Sequence, residues 1–356
     1  MLSINQLVAT KVLQLRHEHL KKITGKEPKL WSEITEFDEY TIITIVIPTR
    51  GCSWALSEYG GCSVCGYVND SSRDLSIPIP TILSEIETLL IKTETDRYVI
   101  LKIFNSGSFF DESDVPRNLR ENITKLIQKY PHCSQLSVES RSEYVINYSN
   151  IIEATKKAIK PAILEVGIGL ESSNNSILRD CWNKGMRVSD YEQAVHILRK
   201  IGVKIKTYIF VKPPFLTEYE AIIDSISTID HAISQGTDLI SINPCSVQNG
   251  TLAHYLFKKD RYQPPWLWSI LFLVSTTKKK YPQIKLICEP TAGGKPRGTH
   301  NCGECDKKVL RYIKDMIDNQ PVPSDYSKIC TCVVRWHTLI TSPIELFRTT
   351  KLSKLR

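Results

Sequence analysis

The chain has 356 residues, of which 42% are hydrophobic and 24% charged, a balance that excludes a disordered or fibrous protein. Lysine and arginine outnumber aspartate and glutamate by 46 to 38, and the formal net charge of +8 favours an anionic partner without identifying it. Apolar runs such as 266–274 fall short of the ~20 residues needed to cross a bilayer, and the N-terminus lacks the apolar core and cleavage site of a secretory signal. No membrane partner is expected, and the expected compartment is the cytoplasm. There the eleven cysteines are expected as metal ligands or buried thiols rather than disulfides.

In chain order, residues 1–38 read as a helical, polar extension, with Leu7, Val8, Val12 and Leu15 on one side of an amphipathic helix. From Thr41 a repeating rhythm begins. Runs rich in β-branched residues at 42–48, 98–104, 134–139, 162–170, 203–211 and 238–243 alternate with helical patterns at 81–93, 115–129, 149–158, 190–201 and 217–235. Strand–helix alternation of this kind predicts an α/β fold with a parallel sheet and right-handed crossovers. Residues 39–285 fit a partial (β/α)6 barrel, with a doubly wound sheet as the alternative, and residues 286–356 form a small cysteine-rich module with a basic tail.

The loop after the first run is the most informative stretch. It carries Cys52, Cys62 and Cys65 in the spacing C-x9-C-x2-C, between glycines at 51, 60, 61 and 66. Thiolates are soft ligands suited to iron, and a four-iron cubane held by only three of them keeps one iron open to an exogenous ligand. A zinc site would want a fourth ligand, and no histidine or further cysteine lies between His19 and His132. Inert buried thiols are the remaining alternative.

Chemistry in barrel-type sheets sits at the C-terminal strand ends, and here those ends are polar. The second run ends in Asn105-Ser106-Gly107-Ser108, the third in Glu139-Ser140-Arg141, the fourth in Gly169-Leu170-Glu171-Ser172, and the fifth in Lys212 before two prolines. Each such group is equally readable as a cap or a salt-bridged strand end. Gly167-x-Gly169 lacks the third glycine and the position of a dinucleotide fingerprint, and no Walker A sequence is present. Trp266 and Trp268, which could stack on bases, precede an apolar run and read as packing residues.

Near the C-terminus, Cys302-x2-Cys305 is followed after 24 residues by Cys330-x-Cys332. Two close-spaced thiolate pairs predict a structural tetrahedral zinc site, with an auxiliary iron–sulfur cluster or unligated thiols as alternatives. His300 is a candidate substitute ligand. The glycine-rich loop before it carries Lys295 and Arg297, suited to a phosphate backbone or simply to a flexible approach. Cys133, Cys181, Cys245 and Cys288 are isolated and read as core thiols.

The cysteine loop resembles the radical S-adenosylmethionine (SAM) superfamily. Its long first spacing is similar to that of the elongator catalytic subunit, and Val64 stands where an aromatic residue is usual. The wider stretch TRGCSWALSEYGGCSVCGYVND, with KPPFLTE, INPxxVQNGT and PPWLWS following in matching order, resembles a narrower family, the radical SAM proteins of archaeosine biosynthesis (RaSEA). The resemblance runs from Thr44 to Trp336. It implies the radical SAM partial barrel, a [4Fe-4S] cluster on Cys52, Cys62 and Cys65, and SAM as cofactor. It implies SAM-binding roles for Asn105, Ser106, Gly107, Ser108, Glu139, Arg141, Glu171, Ser172 and Lys212, although Asn-Ser-Gly-Ser replaces the usual Gly-Gly-Glu-like segment. It further implies tRNA as substrate, a lysine-adding archaeosine synthase subunit as partner, and radical carbon–nitrogen cleavage of the lysine adduct of 7-cyano-7-deazaguanine in the D-arm. No upstream cysteines of the methylthiotransferase kind precede Cys52, and no acetyltransferase segment is present. Another radical tRNA modification, or a metal-stapled RNA-binding module without catalysis, is the alternative.

Overall fold

The computed structural model describes residues 3–23, 29–71, 77–93, 97–323 and 325–341. Its centre is one sheet whose strand order follows the chain: β1 (Trp31–Glu36), β2 (Tyr40–Val46), β3 (Tyr98–Phe104), β4 (Cys133–Ser140), β5 (Ile163–Gly169), β6 (Lys204–Val211), β7 (Leu239–Pro244) and β8 (Lys285–Ile287). Strands β2 to β8 are parallel, and β1 lies antiparallel on β2. The order never reverses. Right-handed crossovers that always step the same way put the crossover helices on one face and bend the sheet around the other. This is the open barrel type, not the doubly wound one.

All six expected runs are strands, and the expected helices appear as Ile79–Lys92, Arg117–Lys129, Ser149–Ala158, Val188–Ile201 and Glu218–Gln235. Strand β1 was hidden within the N-terminal extension. Its residues are largely exposed and two are glutamates, so it carries no apolar run. The helix Ile4–Lys22 buries Val8 and Val12, but Leu7 is 54% exposed and does not share that face.

The two faces of the sheet differ chemically. One face carries Ile43, Ile45, Leu101, Ile103, Val138, Val166, Ile205 and Ile242, packed against Ile86, Ile123, Leu198 and Ile229 of the helices in one apolar core. The side chains between them point to the concave face and include Lys102, Ser137, Glu139, Glu165, Lys206 and Tyr208. Glu165 accepts from Ser137 Oγ at 2.8 Å and pairs with Lys204 at 2.8 Å and Lys206 at 3.7 Å. Lys102 makes no ion pair among the described residues; burial, and Lys206 beside it, hold its ammonium below the usual lysine range. The concave face is thus lined by charged and polar groups, several of them buried and paired with one another.

The C-terminal module is not set apart from this core. Cys305, Val309, Ile313, Cys332 and Trp336 belong to the same apolar cluster as the sheet and its helices. Trp266 and Trp268 are 4% and 0% exposed, so they are packing residues. The basic tail with Arg348, Lys351, Lys354 and Arg356 lies outside the described residues. Lys280, from the lysine run at 278–280, pairs with Asp230 at 2.7 Å.

Candidate functional site

Residues 47–71 leave the C-terminal end of β2 as a loop braced from four directions. Asp114, 2% exposed, accepts from Thr49 Oγ1 at 2.5 Å and Gly51 N at 2.7 Å through one oxygen, and from Asn105 Nδ2 at 2.5 Å through the other. That carboxylate ties the cysteine loop to the end of β3. On a second side, Asn183 Nδ2 donates to Tyr59 O at 2.9 Å and Gly61 O at 2.8 Å, while Trp54 Nε1 donates to Asn183 O at 2.8 Å. On a third, Gln248 Oε1 accepts from Gly66 N at 2.5 Å. The fourth brace is the N-terminal helix. Arg16, 1% exposed, donates from Nε to Gly60 O at 3.1 Å and from Nη2 to Cys65 O at 2.5 Å. The helix lies so close that a Cβ at Gly60, whose φ is +72°, would sit 2.6 Å from Leu13 Cα.

The braces leave Cys52, Cys62 and Cys65 partly exposed on one wall. Burial pushes the Cys65 thiol up to about 12 and raises that of Cys52, with the charge of Cys62 adding to both. Among the described residues, only the C-terminal cysteines gather with all ligand atoms within 4.8 Å of one another. The triangle of Cys52, Cys62 and Cys65 is wider than a single ion spans, and fits a bulkier inorganic body.

The strand ends facing this wall hold most of the other expected residues. Gly107 passes so near the loop that a Cβ there would lie 2.8 Å from Cys52 Cα. Ser108 Oγ accepts from Arg141 N at 3.0 Å. Arg141 donates to Glu143 Oε1, to Lys184 O at 3.0 Å, and lies 5.5 Å over the Trp54 ring. Despite burial, Glu143 with Cys52 and Cys62 holds its guanidinium firmly charged. Burial raises the Glu139 carboxyl, with Lys206 and Tyr208 opposing that rise. Glu171, in left-handed backbone at φ 65°, receives Lys184 Nζ at 2.5 Å in a pair that is 9% exposed at each end. Buried atoms here lack partners within the described protein: Asn105 Oδ1, Ser106 Oγ and Glu171 Oε2. Buried acceptors are normally satisfied, so these fit a ligand bearing an ammonium and hydroxyl donors.

Two expected residues face elsewhere. Ser172 Oγ, fully buried, donates to Asp224 Oδ1 at 2.6 Å on the helix Glu218–Gln235. Lys212 Nζ is held by Glu218 Oε2 at 2.6 Å, and the other Glu218 oxygen accepts from Trp266 N at 2.8 Å and Ser269 Oγ at 2.5 Å. Both are tied into the helix layer.

The C-terminal cysteines form a second, tighter centre. Their sulfurs are separated by 3.8 Å for Cys302–Cys305, 3.7 Å for Cys302–Cys330 and 3.6 Å for Cys305–Cys332. A tetrahedral ion with metal–sulfur bonds of about 2.3 Å places its sulfurs about 3.8 Å apart. The set therefore fits one tetrahedral ion, where a four-iron cluster would spread its ligands wider. Trp268 Nε1 donates to Cys332 Sγ at 3.2 Å and Asn301 Nδ2 to Cys305 Sγ at 3.4 Å, the outer donors that a thiolate ligand needs. The hydrogen bond from Cys332 draws the Cys305 thiol down to about 6. His300 is not in this set; its Nδ1 lies 2.8 Å from Gly298 O.

No protein-family model matches the chain. It is 35% identical over 299 residues to the archaeosine synthase subunit beta of Methanosarcina acetivorans, covering 84% of each chain. It is 30% identical over 303 residues to that of Thermococcus kodakarensis, covering 84% of this chain and 92% of the relative. The chain belongs to the archaeosine synthase subunit beta family. Among solved structures, it is similar to the archaeal Elp3 of Methanocaldococcus infernus, at 19% identity and a TM-score of 0.49 over 67% of this chain and 59% of that one. It is also similar to methylornithine synthase, at 11% identity and a TM-score of 0.47 over 90% and 92%.

Sequence reasoning passed over several residues of this family member's site. Asp114 stands three residues before the helix Arg117–Lys129, whose capping position is Pro116, and has no motif around it. Arg16 lies in a helix that looked peripheral. Lys184 lies in the loop after the fourth strand, and its pairing with Glu171 across 13 residues has no sequence signature.

Proposed function

We infer that this chain is the radical SAM subunit that completes archaeosine in tRNA, with a [4Fe-4S] cluster on Cys52, Cys62 and Cys65. The observation that carries the reading is the open triangle of thiols set against a rim of unpaired buried acceptors, in a chain of this family. When bound, the cluster supplies the electron for reductive cleavage of SAM, and SAM supplies the 5′-deoxyadenosyl radical.

The chain's own residues do the placing. Asn105 Oδ1, Ser106 Oγ and Glu171 Oε2 accept from the amino group and ribose hydroxyls of SAM, while Arg141 offers a fixed cation beside Cys52. Gly107 lets that segment lie against the cysteine loop. Glu139 and Tyr208 line the concave face beyond, and Lys102, which makes no direct ion pair among the described residues, meets the carboxylate of the lysine unit. The assigned reaction is hydrogen abstraction from the lysine joined to the 7-deazaguanine base, then carbon–nitrogen scission that leaves the formamidine. Exclusion of water from the curled sheet protects the radical. Ser172 and Lys212 serve as supports for the mouth. The C-terminal thiolates hold a structural zinc ion, their spacing supporting an ion over a cluster. A lysine-adding subunit supplies the substrate, and the cytoplasm is the setting.

The test is anaerobic reconstitution with iron, sulfide, SAM and dithionite, plus tRNA carrying the lysine adduct. Mass spectrometry should find archaeosine and 5′-deoxyadenosine together. Cys52→Ala, Cys62→Ala and Cys65→Ala should each abolish both while leaving the fold intact. Cleavage of SAM without archaeosine would move the chain to another radical tRNA modification, and no cleavage by a loaded wild type would leave only an RNA-binding module.

A further inference from the structure

Arg16 is a cation with an unusual setting. It lies on the helix Ile4–Lys22, outside the barrel, yet only 1% of it is exposed. Two of its nitrogens are engaged by backbone carbonyls of the cysteine loop, Gly60 O and Cys65 O, while Nη1 is buried with no partner among the described residues. Among the described residues no carboxylate pairs with it, and the ionisable groups that act on it are the thiols of Cys65, Cys62 and Cys52. A buried guanidinium without a counterion is costly, although the helix that places it there is itself anchored by packing Val8 and Val12 with Leu252. Backbone carbonyls alone, which carry no net charge, would not repay that cost. An anionic group held by those thiols would.

We propose that Arg16 is the built counter-charge of the cluster on Cys52, Cys62 and Cys65, and that it raises the cluster's reduction potential. The proposal rests on the cluster reading above. Reduction adds one electron, and hence one negative charge, from a low-potential one-electron donor such as dithionite. A fixed cation at the loop favours the reduced state over the oxidised one, and charge and hydrogen bonds near the sulfurs are known levers on such potentials. Burial keeps this interaction free of solvent screening. The N-terminal helix is then part of the redox machinery rather than an appendage.

The experiment is a redox titration of the reconstituted full-length protein, followed by electron paramagnetic resonance without SAM, for wild type, Arg16→Gln and Arg16→Lys. Glutamine keeps a donor to the loop carbonyls but removes the charge, and lysine keeps the charge. In Arg16→Gln the ratio of reduced to oxidised cluster at a fixed potential should fall at least tenfold, a midpoint lower by about 59 mV for one electron. Arg16→Lys should stay near the wild type. A wild-type potential in a fully iron-loaded Arg16→Gln protein overturns the proposal. Loss of iron from both variants also overturns it, because Arg16 would then act only by holding the loop in shape. Absence of any cluster signal in the wild type would instead remove the cluster reading itself.

Discussion

Asp114→Asn separates the bracing role of this carboxylate from its effect on the mouth. In the wild type, Oδ1 accepts from Thr49 and Gly51 while Oδ2 accepts from Asn105 Nδ2. An asparagine keeps the first two bonds through its carbonyl, but its amide then meets Asn105 donor to donor. The conflict is relieved when the Asn105 amide turns over, since Asn105 Oδ1 has no other partner. The mouth then presents a donor where it had presented an acceptor. The stability cost is the passage of three bonds from charge-assisted to neutral, about 1 kcal/mol each. It is partly offset because burial already raises this carboxyl and disfavours its charge. Asp114→Ala strands three buried donors instead, at about 1–3 kcal/mol each, and should cost at least ~3 kcal/mol. Urea denaturation at pH 7 measures both, and equilibrium dialysis of the reconstituted protein measures SAM. The asparagine variant should load iron normally, lose at most ~3 kcal/mol, and bind SAM at least about tenfold more weakly, equivalent to ~1.4 kcal/mol. Native SAM affinity in that variant would refute the reversal of polarity, and a native urea midpoint in Asp114→Ala would refute the bracing.

Three further outcomes follow from the same geometry. Purified protein should carry about one zinc per chain beside the cluster iron, and Cys305→Ala should lower thermal stability without removing the cluster signal; twice the iron of one cubane and no zinc would reassign that centre. Burial raises the Asp224 carboxyl from 3.8 to about 6, so its contribution to stability is fully present below about pH 3.8 and is lost as pH rises through about 6. At 1.36 kcal/mol per pKa unit the loss is about 3 kcal/mol, and Asp224→Asn, which still accepts from Ser172, should flatten this slope in urea titrations between pH 4 and 7. An unchanged slope would show that Asp224 titrates normally. Finally, tRNA binding should weaken steeply with salt, and alanine at Lys351, Lys354 and Arg356 should reduce the salt slope without changing SAM affinity; salt-independent binding by the wild type would count against a phosphate-contacting surface.

The succession of strands and helices along the chain was legible because each buried run is short, β-branched and separated by an amphipathic helix, so local periodicity carried the pattern. The same holds for the two cysteine groups, whose spacing reports ligand number directly. Strand β1 escaped because an edge strand with few buried side chains has no apolar signature. What local pattern cannot convey is which distant groups meet. Ser172 and Lys212 end their strands like their neighbours, and only the packing of the helix Glu218–Gln235 turns them towards Asp224 and Glu218. Asp114 and Arg16 became parts of the site through contacts across 63 and 49 residues, to Gly51 N and Cys65 O. The chain's chemistry class was therefore set by residue types at short spacing. The orientation, charge and partners of the groups around it were decided by tertiary packing, because a buried polar atom takes its role from whatever the fold places within hydrogen-bonding distance.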